Sequence, residues 1–365
     1  MVKAYFRRAY SSFVAHVHDI PPRLLALLLF LLLLCFPLTN PSLTTLAMLT
    51  ITSIYAIFAA SWDILVGRTG QINLGHVLFF GIGTYATGLL YYHLAWPLWI
   101  TVPLSVLAGV LAAALIGFPC LRVKGHYLAL VTMALPMILL GLILYFDNIT
   151  RGDLGIWGLP SFFPFLSYRQ QYVAEYYLTL LLLFVSAIIL YKIANSKTGI
   201  VFMSILDDEL ASKASGINIT KYKLMAFAIS GLFASLAGSI NAHLMATGHV
   251  ISPTVSLRII LSFMVIIWTI LGGIGTIYGP IVGVYILEIL DKYVLTQVFK
   301  VASSWRLIAY SAFIIILVVV RPRGLSTYVT DKLEDLEEAR DLDERGPRIW
   351  KRYKKKEKRQ SHRRN

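Results

Sequence analysis

Charge is scarce in this sequence of 365 residues: Asp, Glu, Lys and Arg together make up 14%, where a soluble domain carries about 25%. Hydrophobic residues make up 57%, and the mean hydropathy is +0.70. These values exclude an ordinary soluble domain and point to an integral membrane protein. The long apolar stretches are rich in Leu, Ile and Val and do not alternate. That argues against barrel strands and for an all-α, polytopic chain whose helices satisfy their own backbone in lipid. Cysteine is nearly missing as well. Cys35 and Cys120 lie in or beside apolar runs far apart and read as reduced packing residues with no metal or redox role. No G-x-x-x-x-G-K followed by Ser or Thr is present, no H-E-x-x-H and no G-x-S-x-G, and the histidines are scattered. No nucleotide site, metal, cofactor or catalytic constellation is expected, and the chain does not read as an enzyme. Acids at membrane depth are few, Asp63 and Glu288 near Asp291, fewer than a proton relay would want. Uphill transport would draw its energy from another chain.

What charge there is has a pattern. The net charge is +14, but much of it sits in the tail between Arg345 and Arg364 and the rest in short loops, which points to cytoplasmic loops rather than to nucleic acid. Apolar windows place ten spans at 22–39, 43–66, 72–93, 97–118, 126–146, 175–194, 223–247, 257–276, 279–297 and 305–321, each near the ~20 residues that cross hydrocarbon. Arg7, Arg8, Arg68, Arg122, Lys124, Lys197, Lys213, Lys221, Arg321 and Arg323 then all fall on one side, and both termini are expected in the cytoplasm of a cell-membrane protein. The leucine run from Leu24 to Phe36 imitates a signal peptide but lacks a small-residue cleavage site, so it reads as a retained first span. Residues 1–21 form a cytoplasmic arm, 22–321 the transmembrane domain and 322–365 a charged cytoplasmic tail, acidic and then basic. The tail reads as a solvated segment or as one lying on anionic lipid headgroups.

Two glycine-interrupted segments stand out. "GRTGQINLGHVLFFGIGTYATG" runs from Gly67 to Gly88 and places Gln71, Asn73 and His76 before Gly81 and Gly83; "LGGIGTIYGPIVG" runs from Leu271 to Gly283. Polar groups at membrane depth are expensive unless they face a bundle or a watery path, and interrupted helices line translocation routes. Asp63, Gln71, Asn73 and His76 are therefore candidates for the substrate pathway. Close helix packing accounts for the glycines equally well, and the polar groups could instead tie the 67–71 turn to a neighbouring helix. In the loop between the sixth and seventh spans, Asp207, Asp208, Glu209, Leu210 and Gly216 mark a short amphipathic helix with a glycine at its end. Such a helix docks a soluble partner or rests on its own membrane domain.

Together with "LRVKGHYLALVTMAL" and "DDELASKASGINITKYKLMAFAISGLFASLAGSINAH", these two segments resemble the motifs of the permease subunits of branched-chain amino acid ABC importers, the LivM family, in the family's order over roughly 50–290. The resemblance implies import of branched-chain amino acids. It also implies a second related permease subunit, two ABC ATPases below, and an extracytoplasmic solute-binding protein that meets the outer loop at Arg151, Asp153 and Trp157. Three departures are visible. Ile200 and Leu206 stand where the family often has arginines, so the ATPase contact is expected to be more apolar. Arg151 replaces a glycine in the outer loop. Asp63 stands where Asn is common. Permeases for urea, short amides or other small polar solutes look similar, and an ATP-independent channel is the alternative from another class.

Overall fold

The computed structural model describes residues 33–120, 123 and 126–298, together with Phe30, Trp305, Ile308, Ser311, Ala312 and Ile315. The first and tenth spans fall largely outside these residues, as do the tail at 322–365, Arg122 and Lys124. The described chain is helical and crosses back and forth: α1 (Leu43–Thr69), α2 (Val77–Leu94), α3 (Leu98–Cys120), α4 (His126–Tyr145), α5 (Tyr168–Ala194), a two-helix excursion α6 (Lys197–Asp207) and α7 (Glu209–Ala214), then α8 (Ile219–Asn241), α9 (Ile259–Gly272) and α10 (Tyr278–Glu288). Ten residues of π-helix, Ile289–Val298, extend α10. Seven helical segments among the described residues are long and apolar enough to cross a membrane; one of them joins the turn Pro253–Ser256 to α9. These seven occupy the positions of the second to eighth expected spans, and α10 with its extension lies where the ninth is expected.

Several boundaries differ from the hydropathy reading. α5 starts at Tyr168 rather than 175, because Ser167 opens it and the Gln170 carbonyl accepts from the Ser167 N–H at 3.2 Å. Its first turns carry Arg169, Gln170, Gln171 and Glu175, too polar to read as a span. α8 starts at Ile219, where the Asn218 carbonyl accepts from the Lys221 N–H at 3.0 Å. α2 runs unbroken through Gly81, Gly83 and Gly88. The first interruption lies ahead of them, at 70–76, and the second at 273–277.

Small residues bring the helices together. In lipid, helices associate through close packing and interhelical hydrogen bonds rather than by expelling water. α8 lies against α1, α2 and α3. A Cβ on Gly83 would overlap the Ser235 backbone, and one on Gly238 would overlap the Phe80 carbonyl. Into this contact the Thr84 hydroxyl donates to the Gly238 carbonyl at 3.1 Å, Ser239 donates to the Gly83 carbonyl at 3.2 Å, and Ser105 meets Ser239 at 2.6 Å. Each such bond contributes roughly 0.6 kcal/mol. α1 is the central helix, packed by α5, α8, α9 and α10 and buried over most of its length. Cys120 is buried, as a packing residue should be, whereas Cys35 is exposed; both are free thiols.

The ends of the crossings form two clusters. Thr69, Val123, Ile205 and Lys223 meet at one, the end whose loops are basic. At the other, the 151–166 segment is fastened: Ile156 pairs with Ile251, His243 Nδ1 bonds the Pro160 carbonyl at 3.1 Å, and the His243 Nε2 lies 3.0 Å from the Thr87 hydroxyl.

Candidate functional site

α1 ends at Gly70, which takes a left-handed conformation (φ +69°) and donates to the Val66 carbonyl at 3.0 Å. The next six residues, 71–76, are held from several sides. The Trp62 indole donates to the Asn73 carbonyl at 2.7 Å, the Asn73 side-chain carbonyl accepts from the Gly75 N–H at 2.9 Å, and the Leu74 N–H reaches Thr132 at 3.1 Å. The Val77 N–H, first of α2, donates to Ser262 on α9 at 2.9 Å. His76 stacks on Phe58 with ring centroids 4.6 Å apart and lies 2.9 Å from the Ser61 hydroxyl. That hydroxyl already donates to the Phe58 carbonyl at 2.7 Å, so His76 Nε2 is the donor and its Nδ1 the bare acceptor; Nδ1 has no partner in the described structure. The same reasoning orients Gln71. Thr69 donates to the Leu65 carbonyl at 2.6 Å, so the Gln71 amide nitrogen donates to Thr69 at 3.0 Å and its Oε1 is left unpartnered.

The second interruption meets the first through Asp63. Gly273, Gly275 and Ile277 have φ of +114°, +82° and +63°, which curls the 273–277 backbone around this carboxylate. Asp63 Oδ1 accepts from the Gly275 N–H at 2.6 Å and Oδ2 from the Ile277 N–H at 3.0 Å. Gly67, one turn on, permits the approach: a Cβ there would lie 2.6 Å from the Gly275 nitrogen. The two broken segments thus share one buried junction. Asp63, Gln71, Asn73 and His76 are each at most 3% exposed, and each holds backbone or a neighbouring side chain. The side chains that the two breaks expose are Ile72, at 38%, and Ile274, at 45%.

At the basic end, the loop segment is two helices rather than one. α6 ends at Asp207, and Asp208 is extended (φ −153°) and caps α7, its Oδ1 accepting from the Leu210 and Ala211 N–H groups at 2.8 and 3.0 Å. Gly216 follows with φ +84°. Glu209 pairs with Lys223 of α8 at 2.8 Å. Ile200 and Leu210 project outward, 67% and 76% exposed, beside the charged Asp207 and Asp208.

The branched-chain amino acid transport system / permease component family model matches residues 44–319. The chain belongs to that family. The permease is 28% identical over 299 residues to the high-affinity branched-chain amino acid transport system permease protein LivM of Salmonella typhimurium, covering 76% of this chain and 68% of that protein. It is 25% identical to the probable branched-chain amino acid transport permease protein LivM of Methanocaldococcus jannaschii, covering 73% and 84%. It is likewise 25% identical to the ribose import permease protein RbsC of Haemophilus influenzae, covering 76% and 84%. No solved structure matches. The permease is therefore a multi-pass membrane component of an ABC transport system.

At the other end of the permease, Arg151 takes φ +66° and donates to the Tyr92 hydroxyl at 2.8 Å, so it braces the 151–166 segment. Trp157 is 66% exposed and Leu154 75% exposed; these are the knobs that the segment presents, with Asp153 exposed just before Leu154. Glu175 was missed by sequence reasoning. It is 1% exposed and accepts from the Met245 N–H at 2.9 Å and from Ser161 at 3.3 Å. Its signal was an acid at the edge of an apolar run, readable only once α5 is known to begin before it. Glu288, noted as a membrane-depth acid, pairs with Lys292, whose ammonium sits 5.4 Å from the Tyr55 ring centroid.

Proposed function

We propose that this permease is one of a pair of related membrane subunits in an importer of branched-chain amino acids, powered by two separate ABC ATPases and supplied by an extracytoplasmic solute-binding protein. The family match over 44–319 carries this reading. The basic end faces the cytoplasm, both termini with it. There α6 and α7 offer the ATPase an apolar pair, Ile200 and Leu210, flanked by Asp207, Asp208 and Glu209, with Gly216 closing the unit. The outer loop offers the binding protein Leu154, Asp153 and Trp157, and Arg151 holds the loop in shape. Asp63, Gln71, Asn73 and His76 act on the route from behind. Asp63 ties the two interruptions together and the other three shape the first, so that Ile274 faces the path formed with the second subunit. An apolar path of this kind suits aliphatic side chains in transit, which need weak contacts rather than a tight charged site.

A second reading has one specific observation in its favour, the similarity to the Haemophilus ribose import permease over most of that protein. The two readings separate in proteoliposomes holding the permease, its partner subunits and the binding protein. ATP-dependent uptake of labelled leucine, isoleucine or valine is expected, with no uptake of ribose or urea. Uptake of ribose or urea but not of leucine would overturn the assignment of cargo. Uptake without ATP would overturn the importer.

A further inference from the structure

A cavity of about 220 Å³ lies at the basic end, against the start of the first interruption. Its walls come from separate elements: Gly70 to Ile72 after α1, Val123 and Leu128 at the α3–α4 connection, Ile205 and Leu206 of α6, Glu209 of α7 and Lys223 of α8. The chemistry is mixed in a particular way. Lys223 and Glu209 stand side by side at 2.8 Å, with side chains 15% and 38% exposed, so the pair is part-sheltered and still reachable. Gln71 lines the same space beside Gly70 and Ile72. Val123, Leu128, Ile205 and Leu206 make the remaining wall aliphatic.

We infer that this cavity is a regulatory site for a free branched-chain amino acid on the cytoplasmic side. The inference rests on the cargo proposed above. An α-ammonium group fits the Glu209 carboxylate, an α-carboxylate fits Lys223, and a branched apolar side chain fits the aliphatic wall. Charge-assisted contacts of both signs in one sheltered place select a zwitterion over a simple acid or amine. The position gives the site its effect. α6 and α7 are the elements proposed to meet the ATPase, and Gly70 to Ile72 open the first interruption. Leu206 and Gly70 already touch, a Cβ on Gly70 lying 2.9 Å from Leu206 Cδ1. A ligand wedged between them braces the helix pair against the crossings and favours the one arrangement that binds it. Import then slows as product accumulates inside.

Right-side-out proteoliposomes loaded with ATP, with or without L-leucine, test this through the initial rate of uptake. Luminal leucine is expected to slow the wild-type complex roughly fivefold or more. 4-Methylpentanoate and 3-methylbutylamine, which each lack one of the two charges, should leave the rate unchanged. Val123→Trp, which fills the void, should transport normally into leucine-free vesicles and escape inhibition. Calorimetric titration of the complex without its binding protein gives a second reading that does not depend on that variant. L-leucine should bind, and Lys223→Gln or Glu209→Gln should weaken it about tenfold or more. An unchanged rate with leucine inside, inhibition that persists in Val123→Trp, or absence of leucine binding would each overturn the site. Normal uptake from leucine-free vesicles in those cases leaves the cargo assignment standing. Failed uptake with leucine binding intact would overturn the cargo assignment alone.

Discussion

Asp63 shows how one side chain organises the centre of this permease. A carboxylate in lipid is costly unless its oxygens are satisfied, and here each oxygen takes a backbone N–H from a segment more than two hundred positions away. The N–H groups need the carboxylate as much as it needs them, because the 273–277 backbone has left the helix that would have paired them. Asp63→Ala should therefore destabilise the protein by about 3 kcal/mol, the cost of two buried donors left unpaired. Asp63→Asn keeps one acceptor, leaves one donor unpaired, and should lose about half of that. Thermal unfolding in detergent micelles compares the two. Equal and small shifts would show that the junction is held by packing alone. The acid itself was legible in the sequence as an ionisable group within a span. Its partners were not, since nothing in a linear pattern links Asp63 to Gly275. Gln71, Asn73 and His76 were legible in the same partial way: their polarity flagged the break, but their burial and bonding emerge only when α1, α4 and α9 surround them.

At the scale of elements, the α6–α7 pair is the one proposed to meet the ATPase. The sequence pattern Ile205, Leu206, Leu210, Ala214 reads as one amphipathic helix, and Gly216 marks its end correctly. What the pattern hides is the corner at Asp208, because a capping carboxylate within a run of acids looks like another solvated position. Capping at Asp208 rather than its charge sets the direction of α7, and α7 has only six residues, so its end is most of its stability. Asp208→Ala should cost the helix about 1 kcal/mol and lower the number of leucine molecules imported per ATP hydrolysed. Asp208→Ser, which caps without charge, should keep that ratio near the wild-type value. Coupling that survives in the alanine variant would refute the capping role, and a serine variant as poor as alanine would assign the effect to charge. The glycines of α2 give the complementary lesson. Their presence was plain, but periodicity cannot distinguish a glycine that breaks a helix from one that admits a neighbour. The backbone of α8 decides it at Gly83.

For the molecule as a whole, hydropathy was enough to find the seven membrane-length helical segments among the described residues, because that signal comes from the solvent rather than from tertiary contacts. Boundaries were less legible wherever a crossing carries polar residues into the lipid boundary, as at the first turns of α5. The proposed orientation follows from the loop charges and is open to direct test. Leu154 is 75% exposed in the 151–166 segment, and Ser215 is exposed beside α7 at the basic end. Cysteines placed singly at these two positions, in a Cys35→Ser background with the buried Cys120 kept, report the two faces without disturbing a buried contact. In intact cells, an impermeant maleimide is expected to label Leu154→Cys and to leave Ser215→Cys unlabelled until the membrane is opened. Both crossing parity and loop charge require that difference. α1 to α4 return the chain to the face where α1 began, α5 carries it to the basic face, and α6 and α7 must stay there until α8 leaves. Labelling of both positions from outside would mean that α5 does not cross, and the docking role proposed for α6 and α7 would fall with it. Labelling of Ser215→Cys alone would invert the whole assembly and place the ATPase contact on the wrong side of the membrane.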